Sequence, residues 1–145
     1  MTFYFIDRTS PAWTVLSHDS FDDGTTQGWS GYYVQASTTY YRSFRYSLAS
    51  PKPGLSTGTA YYTKTFYVPP QYNESYLILA MRNDNWDEDY PAIYLDSTLY
   101  FRPDTTPSND IWYQFVVPLH AGTTNVKIET FSGRSYMDDV YVILK

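Results

Sequence analysis

Apolar and polar residues alternate with a period of two along most of the chain. No long window carries the i, i+3, i+4, i+7 stripe of an amphipathic helix. Clusters of Gly, Pro, Asn and Asp separate the alternating segments. The pattern predicts an all-β chain with strands at residues 2–6, 13–17, 28–35, 40–48, 60–68, 76–82, 93–95, 99–101, 112–119, 126–131 and 136–144.

Many short strands between turns are typical of a β-sandwich or a barrel. In "YLILAM" at 76–81 both faces are apolar, so this strand is either central, with both faces covered, or has one face directed at a ligand. Asp96 and Ser97 lie at the centre of a predicted hairpin. Alternation assigns two sets of residues to shared strand faces: Val126, Ile128 and Thr130, and Tyr40, Phe44, Tyr46 and Leu48.

The length of 145 residues is the common size of one domain, so residues 1–145 are expected to form a single sandwich. The turn "DRTSP" separates residues 1–12 from the rest. We expect these residues to form either an extra edge strand or an arm that pairs with another molecule, which would allow self-association.

Charge and composition exclude several classes of partner. Ten Lys and Arg against fifteen Asp and Glu give a net charge of -5, which opposes nucleic acid and anionic membranes. No apolar run approaches the roughly 20 residues that span a bilayer. The absence of Cys excludes disulfides and thiolate sites. Abundant Ser, Thr, Asn and 17 Tyr favour an extracellular or surface-exposed protein.

Four segments carry a resemblance when they are taken in order: "DSFDDGTTQGW", "AYYTKTFYVP", "IWYQFVVPL" followed by "TTNVKIET", and "SYMDDVYVILK". Together they resemble the jelly-roll carbohydrate-binding modules of the galactose-binding-like superfamily, such as families 4, 9 and 22, over about residues 13–145. The resemblance implies a two-sheet antiparallel jelly roll that binds glycans without catalysis. It also implies a structural calcium ion that joins Asp22 of the opening turn to Asp138 and Asp139 of the last strand.

The chemistry of these acids agrees with calcium, which takes carboxylate and carbonyl oxygens, but alternatives exist. In "FDDG" the carboxylates of an Asx-type turn would accept backbone N–H groups. In "MDDV" one of two consecutive acids must face inward, where an ionised oxygen is costly unless it is paired or metal-bound. Arg42 or Arg45 could be the partner of that acid.

A sugar ligand needs flat rings and a few polar groups. The loop "RNDNWDEDYP" at 82–91 supplies Trp86 and Tyr90, with Asn83 and Asp87 for hydroxyl groups. Trp86 has no hydrophobic neighbour in the sequence, so we expect it to be exposed; the alternative is that it folds back over the edge of the sandwich.

Two Tyr pairs form a second candidate ligand site. Period-2 geometry sends one ring of Tyr32-Tyr33 and one of Tyr40-Tyr41 outward, and Tyr32 and Tyr41 are the expected contacts with a ligand.

Nothing in the sequence marks a catalytic centre. His18 and His120 are the only histidines, no nucleophile elbow occurs, and no pair of carboxylates stands out. We therefore expect a lectin-like binding module rather than an enzyme. The alternative is a structural surface, virion or fibre subunit of jelly-roll type, in which residues 1–12 pack against a neighbouring protomer.

Overall fold

The structure is a computed structural model that describes residues 13–51, 60–131 and 133–145. Eleven β-strands and no helix occur in this part of the chain. The strands are β1 Thr14–Asp19, β2 Ser30–Gly31, β3 Gln35–Ser37, β4 Ser47–Ser50, β5 Tyr61–Val68, β6 Ser75–Asn83, β7 Ala92–Leu95, β8 Thr98–Phe101, β9 Tyr113–Pro118, β10 Gly122–Glu129 and β11 Ser135–Leu144. No helix that could cross a membrane therefore exists among the described residues.

The strands form two antiparallel sheets. Sheet A has the order β3-β4-β11-β6-β9, and β1 also pairs with β11; sheet B has the order β2-β5-β10-β7-β8. Strand β4 pairs with the start of β11, whereas β1 pairs with its end, so both lie along one edge of the last strand. The two sheets enclose a shared hydrophobic core. The prediction of an all-β, two-sheet jelly-roll sandwich is confirmed.

Strand alternation builds the core. Val126 and Ile128 of β10 are fully buried, and Thr130, which follows that strand, is buried on the same face. In β6, Leu77 and Leu79 belong to the core cluster, whereas Ile78 lies on the opposite face and is still only 3% exposed. The strand lies between β11 and β9, so "YLILAM" is central, which is one of its two predicted placements.

Two predicted strands differ from the structure. Residues 38–46 form a loop, and only Ser47–Ser50 of the segment is a strand, so the predicted shared face of Tyr40, Phe44, Tyr46 and Leu48 does not exist. The backbone N–H groups of this loop bond to carboxylates instead of a neighbouring strand, which overrides the local β pattern.

The strand predicted at 28–35 is divided into β2 and β3. Gly31 has φ of 147° and passes so close to the Tyr61 carbonyl that no side chain fits between them. The strand predicted at 2–6 and the arm at 1–12 lie outside the described residues. The hairpin is confirmed: Asp96 and Ser97 have φ of 48° and 69° between β7 and β8, as a two-residue turn requires.

The two ends of the sandwich meet in space. Strand β1 runs antiparallel to β11, and its last residue, Asp19, lies opposite Val140. The opening turn that follows Asp19 therefore begins beside Asp138 and Asp139, although more than a hundred residues separate them in sequence.

Truncation of an inward side chain of β6 should destabilise the fold. Leu77→Ala removes a fully buried side chain from the core and is expected to lower the free energy of unfolding by about 3 kcal/mol in urea titrations. Leu99→Ala, at a position 43% exposed, is the control and should change it by less than about 0.5 kcal/mol. Equal losses for the two variants would contradict the assigned strand faces.

Candidate functional site

A loop with many aromatic residues lies against the outer face of sheet A. It comprises residues 38–46, "TTYYRSFRY", between β3 and β4, and is called the aromatic loop below. Tyr40 and Tyr41 are 39% and 43% exposed, and Phe44 is 72% exposed. Exposure of large apolar rings to water is unfavourable, so their concentration in one loop makes this loop the candidate binding surface.

The acid Asp138 of β11 holds the centre of this loop. Its side chain is fully buried, and its Oδ2 accepts the backbone N–H groups of Arg42 at 2.9 Å and Ser43 at 3.0 Å. Its Oδ1 accepts the N–H of Asp139 at 2.8 Å. Three N–H donors therefore satisfy a carboxylate that would otherwise be very costly to bury.

Two further acids hold the same loop. The Ser43 hydroxyl donates to Asp139 Oδ1 at 2.7 Å, and the backbone N–H of Arg45 donates to Asp22 Oδ1 at 2.9 Å. Asp22, Asp138 and Asp139, the residues predicted to bind metal, are thus brought together around the aromatic loop.

The sequence offered Arg42 or Arg45 as the partner of the inward acid. Arg42 Nη1 is 3.9 Å from Asp139 Oδ2, an ion pair with the second acid, whereas the close partners of Asp138 are backbone amides.

A stack of charged and aromatic groups supports the base of the loop. The Arg82 guanidinium lies 3.8 Å from the centroid of the Tyr40 ring, and the edge of that ring packs against Tyr136 at 5.1 Å and 83°. Arg82 Nη2 is also 3.3 Å from Asp110 Oδ1. Arg82 Nε is buried and has no hydrogen-bond partner in the described part of the chain.

The tip of the loop presents a second group of rings. Phe44 packs edge-on against Tyr41 with centroids 6.3 Å apart. The Arg45 guanidinium lies 5.9 Å from the Phe44 centroid and 5.3 Å from that of Tyr46. The tip therefore combines apolar ring faces with hydrogen-bond donors, the mixture that amphipathic ligands require.

At the edge of the loop, His18 of β1 stacks on Tyr141 with centroids 4.0 Å apart and an angle of 8°. Its Nε2 is 3.3 Å from Asp139 Oδ1. The histidine thus packs beside the acids that hold the loop, and it forms part of their support.

Burial raises the pKa of Asp138 to about 6. The N–H groups of Ser43 and Arg42 act in the opposite direction because they favour the ionised form, and the nearby charge of Asp139 raises the pKa further. At neutral pH the carboxylate is ionised, as its N–H donors require.

The donors around these acids do not fit a calcium ion between Asp22, Asp138 and Asp139. Both oxygens of Asp138 face N–H groups, and Asp139 Oδ1 faces a hydroxyl and an imidazole nitrogen. No group of three or more His, Cys, Asp or Glu that could hold a metal forms among residues 13–51, 60–131 and 133–145. Calcium binding, which the sequence resemblance implied, stays a prediction.

The second acid of "FDDG" forms an Asx-type turn. Asp23 Oδ1 accepts the backbone N–H of Thr25 at 2.9 Å and the Thr25 hydroxyl at 2.8 Å. The bond from the Thr25 amide is the main cause that lowers the pKa of Asp23. The turn interpretation therefore holds for Asp23.

The expectation that Trp86 is exposed is wrong. Its side chain is 6% exposed and belongs to the core cluster, and its backbone N–H donates to Asn109 Oδ1 at 2.7 Å. The alternative, a ring folded into the sandwich, is what the structure shows. Burial of a large ring outweighs the polar surroundings in the sequence, because Asn109 fixes the backbone from another loop.

The polar candidates around Trp86 are also structural. Asn83 is fully buried and its Oδ1 accepts the N–H of Asn85 at 2.8 Å, so it is not placed to contact a ligand. Asp87 is partly buried and accepts the N–H of Glu88 at 3.0 Å.

Tyr90 is partly buried and stacks on Phe131 at 5.5 Å and 18°. The loop at 82–91 therefore packs its tyrosine against the turn that follows β10.

The Tyr pairs have different outcomes. Tyr33, 56% exposed, is the outward ring of the first pair, and Tyr32 is partly buried against it at 4.8 Å, the reverse of the expectation. Both line an open groove of about 470 Å³ at the edge of sheet B. In the second pair both Tyr40 and Tyr41 are exposed, because a loop does not alternate. Tyr41 is thus the one predicted ligand residue that lies in the aromatic loop.

Sequence reasoning missed Phe44, Arg82 and Tyr136 as parts of the site. The signal available was the run "YYRSFRY" at 40–46, which contains two arginines among four aromatic rings. The contribution of Arg82 and Tyr136 could not be read from the sequence, because β6 and β11 meet the loop only in the folded sandwich.

Solved structures share this architecture. A CBM22-1 xylan-binding domain from Paenibacillus barcinonensis Xyn10C matches with a TM-score of 0.60 and 14% identity, covering 94% of this chain and 97% of that domain. A family 35 carbohydrate-binding module from Clostridium thermocellum matches with a TM-score of 0.56 and 11% identity, covering 90% and 96%. The fold is that of the jelly-roll carbohydrate-binding modules.

The same fold occurs in another class of protein. The K1 cleaved adhesin domain of Lys-gingipain from Porphyromonas gingivalis W83 matches with a TM-score of 0.61 and 18% identity, covering 89% of this chain and 97% of that domain. No protein-family model and no curated protein sequence matches the chain. At these identities the likeness concerns the fold alone.

Trp86 should behave as a core residue. Trp86→Ala is expected to lower the free energy of unfolding by about 3–5 kcal/mol, because it removes a buried ring. Trp86→Phe should cost only about 1–2 kcal/mol, since the indole N–H is buried without an acceptor among the described residues. Chemical denaturation measures both values. A Trp86→Ala variant as stable as the parent would contradict the assignment of Trp86 to the core.

The pH dependence of stability should report the burial of Asp138. Its pKa of about 6 lies above the ordinary value of an aspartate, so between about pH 4 and pH 6 the folded state binds the proton more tightly than the unfolded chain does. This group therefore makes the free energy of unfolding fall as pH rises through that window, by up to about 3 kcal/mol. Asp138→Asn, which does not titrate, should give a flatter profile in urea titrations from pH 4 to pH 7. Parallel profiles for parent and variant would contradict the assignment.

Proposed function

We propose that this protein is a non-catalytic carbohydrate-binding module whose aromatic loop is the binding surface. The observation that carries the proposal is the display of Tyr40, Tyr41 and Phe44 on one loop that three carboxylates hold in place. A binding loop fixed before the ligand arrives loses little conformational entropy on binding.

The chemistry of the loop suits a sugar polymer. The C–H faces of pyranose rings pack on aromatic rings, and hydroxyl groups need hydrogen-bond partners close to those rings. Arg45 beside Phe44 supplies such donors. The loop lies along the outer face of a sheet, so several consecutive sugar units could contact it.

The structural neighbours suggest which ligands to test first. Two of them are named as xylan-binding domains, and another contains a family 22 module of a xylanase complexed with xylohexaose, so xylan is the first polysaccharide for a binding assay. Glycan binding also agrees with the net charge of -5, which disfavours nucleic acid, and with an extracellular or surface location. The alternative, a virion or fibre subunit, predicts that residues 1–12, which lie outside the described part of the chain, pack against a neighbouring protomer.

A polysaccharide panel tests the proposal. Affinity electrophoresis in gels that contain xylan, β-glucan, mannan or galactan should retard the parent protein in at least one gel. Phe44→Ala and Tyr40→Ala should each weaken that binding by about three- to ten-fold, because one stacked ring contributes roughly 0.5–1.5 kcal/mol.

Tyr67→Ala is the matched control, since Tyr67 is 60% exposed but belongs to β5 of sheet B. It should bind as the parent does. If the parent binds no glycan in the panel, the proposed function fails. If Tyr67→Ala weakens binding and the loop variants do not, the binding surface lies on sheet B instead.

A further inference from the structure

Lys64 is a cation enclosed between the sheets. It lies on the same face of β5 as the core residues Tyr62 and Phe66, and its side chain is 19% exposed. Its Nζ donates to Asp19 Oδ2 at 2.7 Å and to the backbone carbonyl of Gln27 at 2.7 Å. An ammonium on a core face needs such oxygen acceptors, because burial without them would neutralise it.

The acid that receives this ammonium is the last residue of β1. Asp19 has a side chain 10% exposed, and its Oδ2 also accepts the indole N–H of Trp29 at 3.0 Å. One carboxylate oxygen thereby joins the end of β1 to β5 and to the aromatic residue that closes the opening turn.

The backbone of the opening turn is shaped around the lysine. Gly28 has φ of 88°, and a Cβ at this position would lie 3.2 Å from Lys64 Cε. A side chain here would be strained by the backbone conformation and crowded by the lysine stem. Glycine allows the Gln27 carbonyl to point at the ammonium.

The position of this cluster relates it to the predicted calcium site. Asp19 lies opposite Val140, the residue after Asp138 and Asp139, so the cluster lies where the opening turn meets the last strand. This is the junction at which the sequence resemblance implied calcium. A carboxylate and a backbone carbonyl are oxygen ligands that calcium prefers, and here both bind an ammonium.

We infer that the Lys64 ammonium is the built-in cation of this junction, and that the domain folds with the same stability in the presence and absence of calcium. The inference rests on two observations that complement each other: Lys64 occupies the oxygens of Asp19 and Gln27, and the carboxylates of Asp138 and Asp139 already receive donors of the aromatic loop. It does not depend on glycan binding.

Thermal melting of the full chain tests the inference. The parent should melt at the same temperature, within about 1 °C, in millimolar calcium chloride and in excess EDTA, because a ligand stabilises only a folded state that binds it. Lys64→Met should lower the melting temperature by about 10 °C in both solutions, since it leaves the Asp19 carboxylate buried with one donor fewer.

Lys127→Met is the matched control. Lys127 Nζ is 3.1 Å from Glu129 Oε1, but this pair lies on the outer face of sheet B, with side chains 41% and 31% exposed. Its loss should lower the melting temperature by no more than about 2 °C.

Two results would overturn the inference. One is a parent protein that melts at a lower temperature in EDTA than in calcium, and the other is a Lys64→Met variant with the same melting temperature as Lys127→Met. The melting temperatures of the parent in calcium and in EDTA test the inference even if Lys64→Met does not fold.

Discussion

A buried carboxylate must find donors, and the organisation of the proposed binding surface depends on how Asp138 meets that requirement. Asp138 lies on the outer face of β11, beneath the aromatic loop, and β11 lies at the centre of sheet A with neighbours on both sides. Because its own sheet partners leave the side chain unsatisfied, the acid takes N–H groups from the chain segment that crosses above it. A segment that reads as a strand in the sequence thereby becomes an ordered loop.

The same requirement explains why acidic residues collect at this end of the sandwich. Each carboxylate there meets a group of the protein: Asp22 and Asp139 meet the aromatic loop, and Asp19 meets Lys64. These pairs of carboxylates and donors connect β1, the opening turn, β5 and β11. The fold is thus closed at the meeting point of its two ends by polar contacts as well as by the hydrophobic core.

Fixed polar contacts below the loop leave its rings free to face outward. Tyr40 packs on Arg82 and Tyr136, whereas Tyr41 and Phe44 pack on each other at the tip and are more exposed. The exposure of the rings therefore increases from Tyr40, near the sheet, to Tyr41 and Phe44 at the tip of the loop. This arrangement suits an extended ligand that contacts the sheet and the loop together, as the proposed role in glycan binding requires.

The sequence by itself determined the all-β class, the core face of β10 and the hairpin at Asp96-Ser97, because period-2 burial and turn geometry are local properties. It left β6 open between a central place and a ligand-facing one. It also indicated that the opening turn and the "DD" pair lie together. Only the tertiary structure decided what the acids bind, that Trp86 is buried, and that residues 38–46 leave the sheet. Each of these depends on a partner distant in sequence, such as Asn109 for Trp86 or Asp138 for the aromatic loop, and local patterns do not contain such partners.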